Sequence, residues 1–341
     1  MSYPVFDLHC DTATMLAFQN MPAELAASAG MSGQGEPPAS PDLPKPPVAA
    51  DLAAGGFQLT ADKIGATPWA QCFACFIPDS FEPAGAAELW EHVSCCLDRE
   101  LARHGDRFSD VRSAADIRPA LAEGHIAAVR TIENARLFAH DIELVHACAE
   151  QGLLMASLSW NAPGPLASGH DAPELGLTAT GREVLRRMEE ERVILDVSHL
   201  NDVCFDEVAS LAERPFVASH SNARAVCGHK RNLTDAQFAE IRDRGGIVGL
   251  NYADLFVVDD PAATPPTFDD LSRHIEHWLD LGGERVLALG SDFDGCDPVP
   301  DIASADKMLA FQEHLEQRFG AEITGSLCGG NALAFFERFG R

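Results

Sequence analysis

The chain has 341 residues with 25 basic and 52 acidic side chains, which gives a formal net charge of −27 at pH 7. This charge excludes nucleic acid and anionic membranes as partners, because their negative surfaces would repel the chain. The length is ample for a buried core and suits one large α/β domain or two ordinary ones.

Eight short, mostly apolar segments predict β-strands, and most of them lack the polar alternation of a half-exposed strand. Such runs are typical of parallel strands that are buried on both faces. The predicted strands cover residues 5–8, 67–77, 126–132, 153–158, 193–197, 216–218, 247–250 and 286–289.

Helical periodicity is found between these strands and after the last one. Thr180 is the expected N-cap of the helix at 183–191. The predicted helices cover residues 84–103, 141–151, 183–191, 204–213, 235–244, 268–282, 309–319 and 331–339.

Strands and helices alternate along the chain, and no part of the chain differs in composition as a second domain would. This pattern predicts a (β/α)8 TIM-type barrel as a single domain over residues 1–341. A doubly wound open sheet is the alternative, but no Gly-x-Gly-x-x-Gly follows the first strand. Residues 19–56 are rich in Pro, Gly and Ala and form a long loop after that strand. Such a loop is either a flap near a functional site or a disordered surface insertion.

The ten cysteines are irregularly spaced, and the pair Cys72 and Cys75 has no matching second pair. A disulfide framework or a zinc knuckle would need a regular pattern, so we expect buried free thiols. No basic region followed by an apolar run opens the chain, and no stretch is apolar for long enough to span a bilayer. We therefore expect a cytoplasmic protein.

Six ionisable residues directly follow predicted strands. Barrel enzymes place their sites at the carboxyl ends of the strands, so these side chains are expected to converge. Imidazole nitrogens and carboxylate oxygens are ligands of divalent metals, above all of zinc. If one carboxylate bound two ions at once, these residues would be enough for a two-metal site. The six residues are His9, Asp11, Glu133, His199, His220 and Asp292.

Roles follow from the positions of these residues. Glu133 lies on a strand between the two histidine groups and is the natural bridge. Asp292 follows the last strand and is left to accept a proton and deliver it to a leaving group. Asp294 is the competing candidate for that task.

Several stretches occur in an order that resembles the membrane (renal) dipeptidase family of zinc peptidases, within the amidohydrolase-type superfamily of metal-dependent barrels. The resemblance runs from Phe6 to residues 329–332. It is carried by Asp7-Leu8-His9-Cys10-Asp11, Ile132-Glu133-Asn134, Leu195-Asp196-Val197-Ser198-His199, Ser219-His220-Ser221-Asn222-Ala223-Arg224, His229-Lys230-Arg231-Asn232-Leu233 and Gly290-Ser291-Asp292-Phe293-Asp294-Gly295.

The resemblance implies two zinc ions that share Glu133, one held with His9 and Asp11 and the other with His199 and His220. It makes Asp292 the acid/base and Arg231 a clamp on the terminal carboxylate of a dipeptide, a task that a planar guanidinium suits. Better-known members carry a substrate-contacting His just after the fourth strand. This chain has Trp160 there, which donates one N–H and transfers no proton near neutral pH.

The sequence therefore predicts a binuclear zinc dipeptidase that hydrolyses small dipeptides by attack of a metal-bridging hydroxide. The resemblance also implies tolerance of a D-residue at the C-terminal position, and it leaves a homodimer open. One alternative is a metal-dependent amidohydrolase for N-acyl amino acids, lactones or β-lactams. Another is a barrel without catalysis that binds a ligand, although such a protein would have no reason to keep six site residues.

Overall fold

The computed structural model describes residues 2–28 and 51–341. All strand pairs in its sheet are parallel, and β3 pairs with β4 beside the main order β6-β5-β4-β2-β1-β8-β7. The strands are β1 (Val5–Cys10), β2 (Trp69–Phe76), β3 (Phe108–Val111), β4 (Ile126–Glu133), β5 (Leu153–Ser157), β6 (Ile194–Asp196), β7 (Val248–Leu250) and β8 (Leu287–Leu289).

The gap between β6 and β7 is bridged by the predicted strand at 216–218. Val217 forms an isolated bridge with Asp196 of β6, and Ala218 forms one with Val248 of β7. The segment is too short for a regular strand, because the next backbone N–H, that of Ser219, donates to the Asp196 carboxylate at 2.9 Å. The parallel sheet with this connection is consistent with a TIM-type barrel.

Helices lie between successive strands, as the sequence predicts, together with short helices at residues 23–28, 61–64, 117–122 and 254–257 that it does not predict. They are α1 (Thr12–Phe18), α2 (Ala23–Ser28), α3 (Ala61–Ile64), α4 (Pro83–Arg103), α5 (Ile117–Ala122), α6 (Leu144–Glu150), α7 (Ala179–Glu190), α8 (Asp202–Leu211), α9 (Asp235–Asp243), α10 (Asp254–Val257), α11 (Phe268–Asp280), α12 (Met308–Gly325) and α13 (Asn331–Phe339).

Two local predictions were wrong. The N-cap of α7 is Thr178 rather than Thr180, because the Thr178 hydroxyl accepts the Gly181 N–H at 2.9 Å and starts the helix earlier. Strand β3 was missed, because its two buried apolar residues flank two half-buried polar ones instead of forming an apolar run.

The long loop predicted at 19–56 lies mostly outside the described residues. Its described start contains α2, and its described end runs from residue 51. None of the ten cysteines, which all lie in the described part, forms a disulfide, and Cys72 and Cys75 are buried as predicted, whereas Cys95 is exposed and Cys296 is half-buried. Within residues 2–28 and 51–341, no helix has the length and hydropathy needed to cross a membrane.

Candidate active site

The carboxyl ends of the strands bring all six predicted side chains together, and each of them is buried. Glu133, the last residue of β4, lies at the centre. Its Oε2 is 3.7 Å from Nε2 of His9, at the end of β1. Its Oε1 is 2.7 Å from Nε2 of His199 and 3.5 Å from Nε2 of His220. Each carboxylate oxygen of Glu133 thus faces a different histidine group.

These side chains form two candidate ligand groups that share Glu133. One group joins it to His9 and Asp11, and the other joins it to His199 and His220, with the ligand atoms of each group within 4.8 Å of one another. Asp292 approaches the first group, with its Oδ1 3.8 Å from Nε2 of His9.

The donor set fits divalent cations. Nε2 of His9 and Oδ1 of Asp11 are buried and have no hydrogen-bond partner among the described residues. A buried polar atom without a partner costs about 1–3 kcal/mol, and more when charged, so such atoms call for a missing ligand. Nitrogen and oxygen donors at these spacings are those that zinc and related ions prefer.

The electrostatics of the cluster point the same way. Burial raises the pKa of Glu133 well above its usual value, and the neighbouring carboxylates of Asp11 and Asp292 raise it further. Burial disfavours a charge on His9, but Glu133 and Asp11 outweigh it and raise the His9 pKa to about 10. The carboxylates thus repel one another and are stabilised by a nearby positive charge. A divalent ion would supply that charge, so that no carboxylate would need to bind a proton.

The other two imidazoles are kept neutral, the form that binds metal. Burial, together with the nearby Arg231, lowers the pKa of His199 and of His220 well below the usual value. Nδ1 of His199 lies 2.9 Å from Oδ1 of Asn161, which can only accept, so the imidazole proton is assigned to Nδ1. This tautomer leaves the Nε2 lone pair directed at Glu133.

His220 is oriented through a chain of two partners. The Ser219 hydroxyl donates to Oδ2 of Asp196 and lies 2.6 Å from Nδ1 of His220, whose N–H it therefore accepts. Oδ1 of Asp196 accepts the N–H groups of Ser198 and Ser219, both at 2.9 Å. The carboxylate thus fixes both the backbone around the site and the proton on the imidazole.

We expect Asp196→Asn to weaken metal binding by about 10- to 100-fold. The new amide can still accept the two backbone N–H groups, but its NH2 would donate to Ser219 and reverse the chain. His220 would then carry its proton on Nε2, which could no longer bind a metal. Metal titration of the stripped protein measures the change. Asp235→Asn, on the exposed start of α9, is the control, and equal affinities for the two variants would contradict the orienting role.

Positive φ angles place several of these side chains. Asn134, His199, Asp292 and Asp294 have φ values of 64°, 71°, 62° and 65°, respectively. Non-glycine residues rarely adopt this conformation, which costs of order 1 kcal/mol or more and is concentrated at functional sites. All four residues lie within five positions after the end of a strand, where the chain turns.

The structure separates the two competing carboxylates after β8. Asp292 faces the ligand group of His9 and accepts the Asn251 amide at 3.0 Å on its other oxygen. Asp294 accepts the Thr12 hydroxyl at 2.6 Å and the backbone N–H of Gln58 at 2.7 Å. Asp292 is therefore available to a substrate, whereas both Asp294 oxygens hold backbone segments together.

Gly295 is required by a close approach within this loop. A Cβ there would lie 2.0 Å from Oδ2 of Asp11 and 2.6 Å from Oδ1 of Asp292. Real Cβ atoms do not come so close to other atoms, so a side chain at this position would displace both carboxylates.

A cavity of about 370 Å³ opens above the cluster. Trp160 lines it, packs edge-on against Phe76 with ring centroids 5.0 Å apart, and lies 6.3 Å from the His199 ring. Arg231 is not among the described residues that line the cavity. Its guanidinium is buried, donates to the Ser221 hydroxyl at 2.8 Å and to the His220 carbonyl at 3.0 Å, and leaves Nε without a described partner.

Sequence reasoning missed four polar residues of this site. Asn161 and Asn251 follow β5 and β7, but a search for ionisable residues passes over amides. His170 and His229 line the cavity from loops far from any strand end. A search for every polar residue within two positions of a strand end would have found Asn251, whereas no comparable signal marks His170.

Residues 1–339 match the family model of the membrane dipeptidases, peptidase family M19. The chain belongs to this family. Membership makes it a hydrolase of the metallo dipeptidase type, and the family implies a metal. The family resemblance expected from the sequence is thus confirmed.

Two solved structures, one of them from family M19, and a curated relative are similar to this chain. A metallo peptidase from Rhodobacter sphaeroides, liganded with a phosphinate mimic of the dipeptide L-Ala-D-Ala, is 26% identical with a TM-score of 0.84 and covers 99% of this chain and 100% of its own. The dipeptidase AC, a metallo peptidase of family M19, is 28% identical with a TM-score of 0.84, at 99% of both chains. An uncharacterized protein in the pqqA 5′ region of Klebsiella pneumoniae is 34% identical over 65% of this chain and 85% of its own length.

Proposed function

We propose that this M19 family member is a binuclear zinc dipeptidase that cleaves small dipeptides and tolerates a D-residue at the C-terminal position. The observation that carries the proposal is the position of Glu133, which presents one oxygen to each histidine group. A carboxylate shared in this way is how proteins hold two metals side by side. The L-Ala-D-Ala mimic bound by the Rhodobacter sphaeroides protein supports a dipeptide of this stereochemistry.

His9 and Asp11 would hold one ion, His199 and His220 the other, and Glu133 both. When bound, the ions would supply a nucleophile at neutral pH and a Lewis acid for the peptide carbonyl.

The proton transfer is assigned to Asp292. Its Oδ2 is held by the Asn251 amide, while its Oδ1 faces the cluster and is free to take the proton of the nucleophile. The same oxygen then delivers that proton to the leaving amine, so one carboxylate serves both halves of the reaction. Burial raises the pKa of Asp292, which makes it a better proton acceptor than an exposed carboxylate.

A kinetic screen tests this proposal. The metal-loaded protein is assayed on a stereochemically complete dipeptide library and on N-acetyl amino acids, lactones and β-lactams. We expect turnover of dipeptides, including those with a C-terminal D-residue. Preferential turnover of the N-acyl amino acids would replace the dipeptidase with an amidohydrolase. A purified protein that holds less than one zinc ion per chain and turns over none of the panel would indicate a barrel without catalysis.

We expect Arg231→Met to raise KM for free dipeptides by about 10- to 100-fold, because the positive charge that attracts their carboxylate from behind the cavity wall is lost. The KM for dipeptides with a blocked carboxylate should rise less. The two KM values for each substrate pair measure the effect. Arg231→Lys keeps the charge without the planar guanidinium, so its KM should lie between those of the wild type and of Arg231→Met. An equal loss on blocked and free substrates would mean that Arg231 acts only through its bond to the His220 carbonyl.

Residues 1–341 are proposed to form a single hydrolase barrel with 19–56 as an insertion. The contacts of Asp294 with Thr12 and Gln58 support a position of both flanks of this insertion beside the site.

A further inference from the structure

His170 lies in the cavity wall on the loop that follows β5, outside both ligand groups. Its Nδ1 is buried and has no hydrogen-bond partner within the described chain. Its Nε2 lies 3.6 Å from Oδ1 of Asp171, which is too far for a hydrogen bond. The imidazole therefore has an unused donor or acceptor, and its residue lines the space where a substrate would lie.

The backbone on both sides of His170 is fixed to the loops that carry His199 and Trp160. Gly169 forms a bridge with Leu200, the residue after His199. The Asp171 N–H donates to the Asn161 carbonyl at 3.0 Å. A Cβ on Gly169 would lie 1.8 Å from the Trp160 carbonyl oxygen, so only glycine permits this packing. A loop held this tightly gives His170 a defined position over the cavity, as a recognition residue requires.

The residues around His170 determine the protonation of its ring and the electrostatic potential at this part of the cavity wall. Its ring lies 5.6 Å from that of His229, whose Nδ1 accepts the Arg231 backbone N–H at 3.1 Å. Burial and the guanidinium of Arg231 lower the His170 pKa to about 4, so the ring is neutral at pH 7. Arg231 supplies a positive potential at this part of the wall but does not line it, whereas His170 does.

We propose that His170 contacts the C-terminal residue of the substrate and donates a hydrogen bond from Nδ1 to its carboxylate. The inference rests on the proposed dipeptidase function. In this arrangement Arg231 attracts the carboxylate from behind the wall, and the imidazole makes the direct contact. The Nδ1 proton is available because no protein acceptor competes for it, and the bound carboxylate would satisfy a buried atom that now has no partner.

Calorimetric titration of the metal-loaded protein tests the contact without relying on turnover. The probes are a phosphinate dipeptide mimic with a free carboxylate and the same mimic with a carboxamide. His170→Ala should weaken binding of the acid about tenfold and change binding of the amide little. His170→Asn, whose amide NH2 can replace the Nδ1 proton, should restore most of the loss. His146→Ala, an exposed histidine that pairs with Glu191, is the matched control and should change neither value.

Equal weakening of the acid and the amide, or no weakening of either, would overturn the contact. Failure of the dipeptidase function gives a different result, because the wild-type protein would then neither bind the acid mimic nor cleave dipeptides. In that case the same comparison is made with an N-acyl amino acid and its amide, and a selective loss on the acid still supports His170.

Discussion

Asp292→Asn is expected to lower kcat by a factor on the order of 10²–10⁴ while the metal content stays at the wild-type level. The amide has the same shape and can still accept the Asn251 side chain at the position of Oδ2. It cannot take up a proton, so the step that moves the proton from the nucleophile to the leaving amine has no carrier. Steady-state kinetics and metal analysis of the same preparation measure the two quantities.

Asp294→Asn is the matched control, because it removes a charge two residues away. The two oxygens of its carboxylate already accept from Thr12 and Gln58, so we expect a loss of thermal stability with a smaller change in kcat. Near-wild-type activity of Asp292→Asn would exclude Asp292 as the proton carrier. A loss of metal together with activity would assign it to the ligands instead, since Asp292, His9 and His220 also form a candidate ligand group.

Glu133→Gln is expected to abolish activity and to remove both ions, which no other single substitution at the site should do. The amide keeps one oxygen and replaces the other with an NH2 group. One of the two ligand groups would therefore have a hydrogen-bond donor where it now has a carboxylate oxygen. The remaining group would hold its ion without the bridging charge, and its affinity should fall as well. Metal content per chain after dialysis, determined by mass spectrometry, is the measurement.

His199→Ala provides the comparison for this experiment. It removes a ligand from only one group, so the group of His9, Asp11 and Glu133 should retain its ion. The expected order of metal content is therefore wild type above His199→Ala above Glu133→Gln. If Glu133→Gln retains as much metal as His199→Ala, Glu133 serves only one ion and the two-metal proposal fails.

Much of the candidate site follows from topology alone. His9, Asp11, Glu133, His199 and His220 could be found because a parallel sheet brings the carboxyl ends of its strands to one edge, however far apart they lie in sequence. The same rule could not choose between Asp292 and Asp294. That choice depends on which side chain meets Thr12 and Gln58, and those contacts are visible only in three dimensions.

The residues that sequence reasoning missed share a physical reason. Asn251 holds Asp292 in place and Asn161 holds His199, and a neutral amide has no charge pattern of its own in the sequence. His170 reaches the cavity through a loop whose path is set by the Gly169 packing against the Trp160 carbonyl. The segment 216–218 lies in the sheet at the predicted position. The next residue, Ser219, donates its backbone N–H to the Asp196 side chain, and an apolar pattern does not predict such a contact.

The contacts of Asp294 have a consequence for how this chain could diverge. Thr12 precedes the loop predicted at 19–56, Gln58 follows it, and both donate to the carboxylate of Asp294, two residues after Asp292. A substitution at Thr12 or Gln58 that breaks one of these contacts would free an oxygen of Asp294 without replacing any predicted metal ligand. These two positions are therefore places where relatives could differ in activity while they keep the same ligand set.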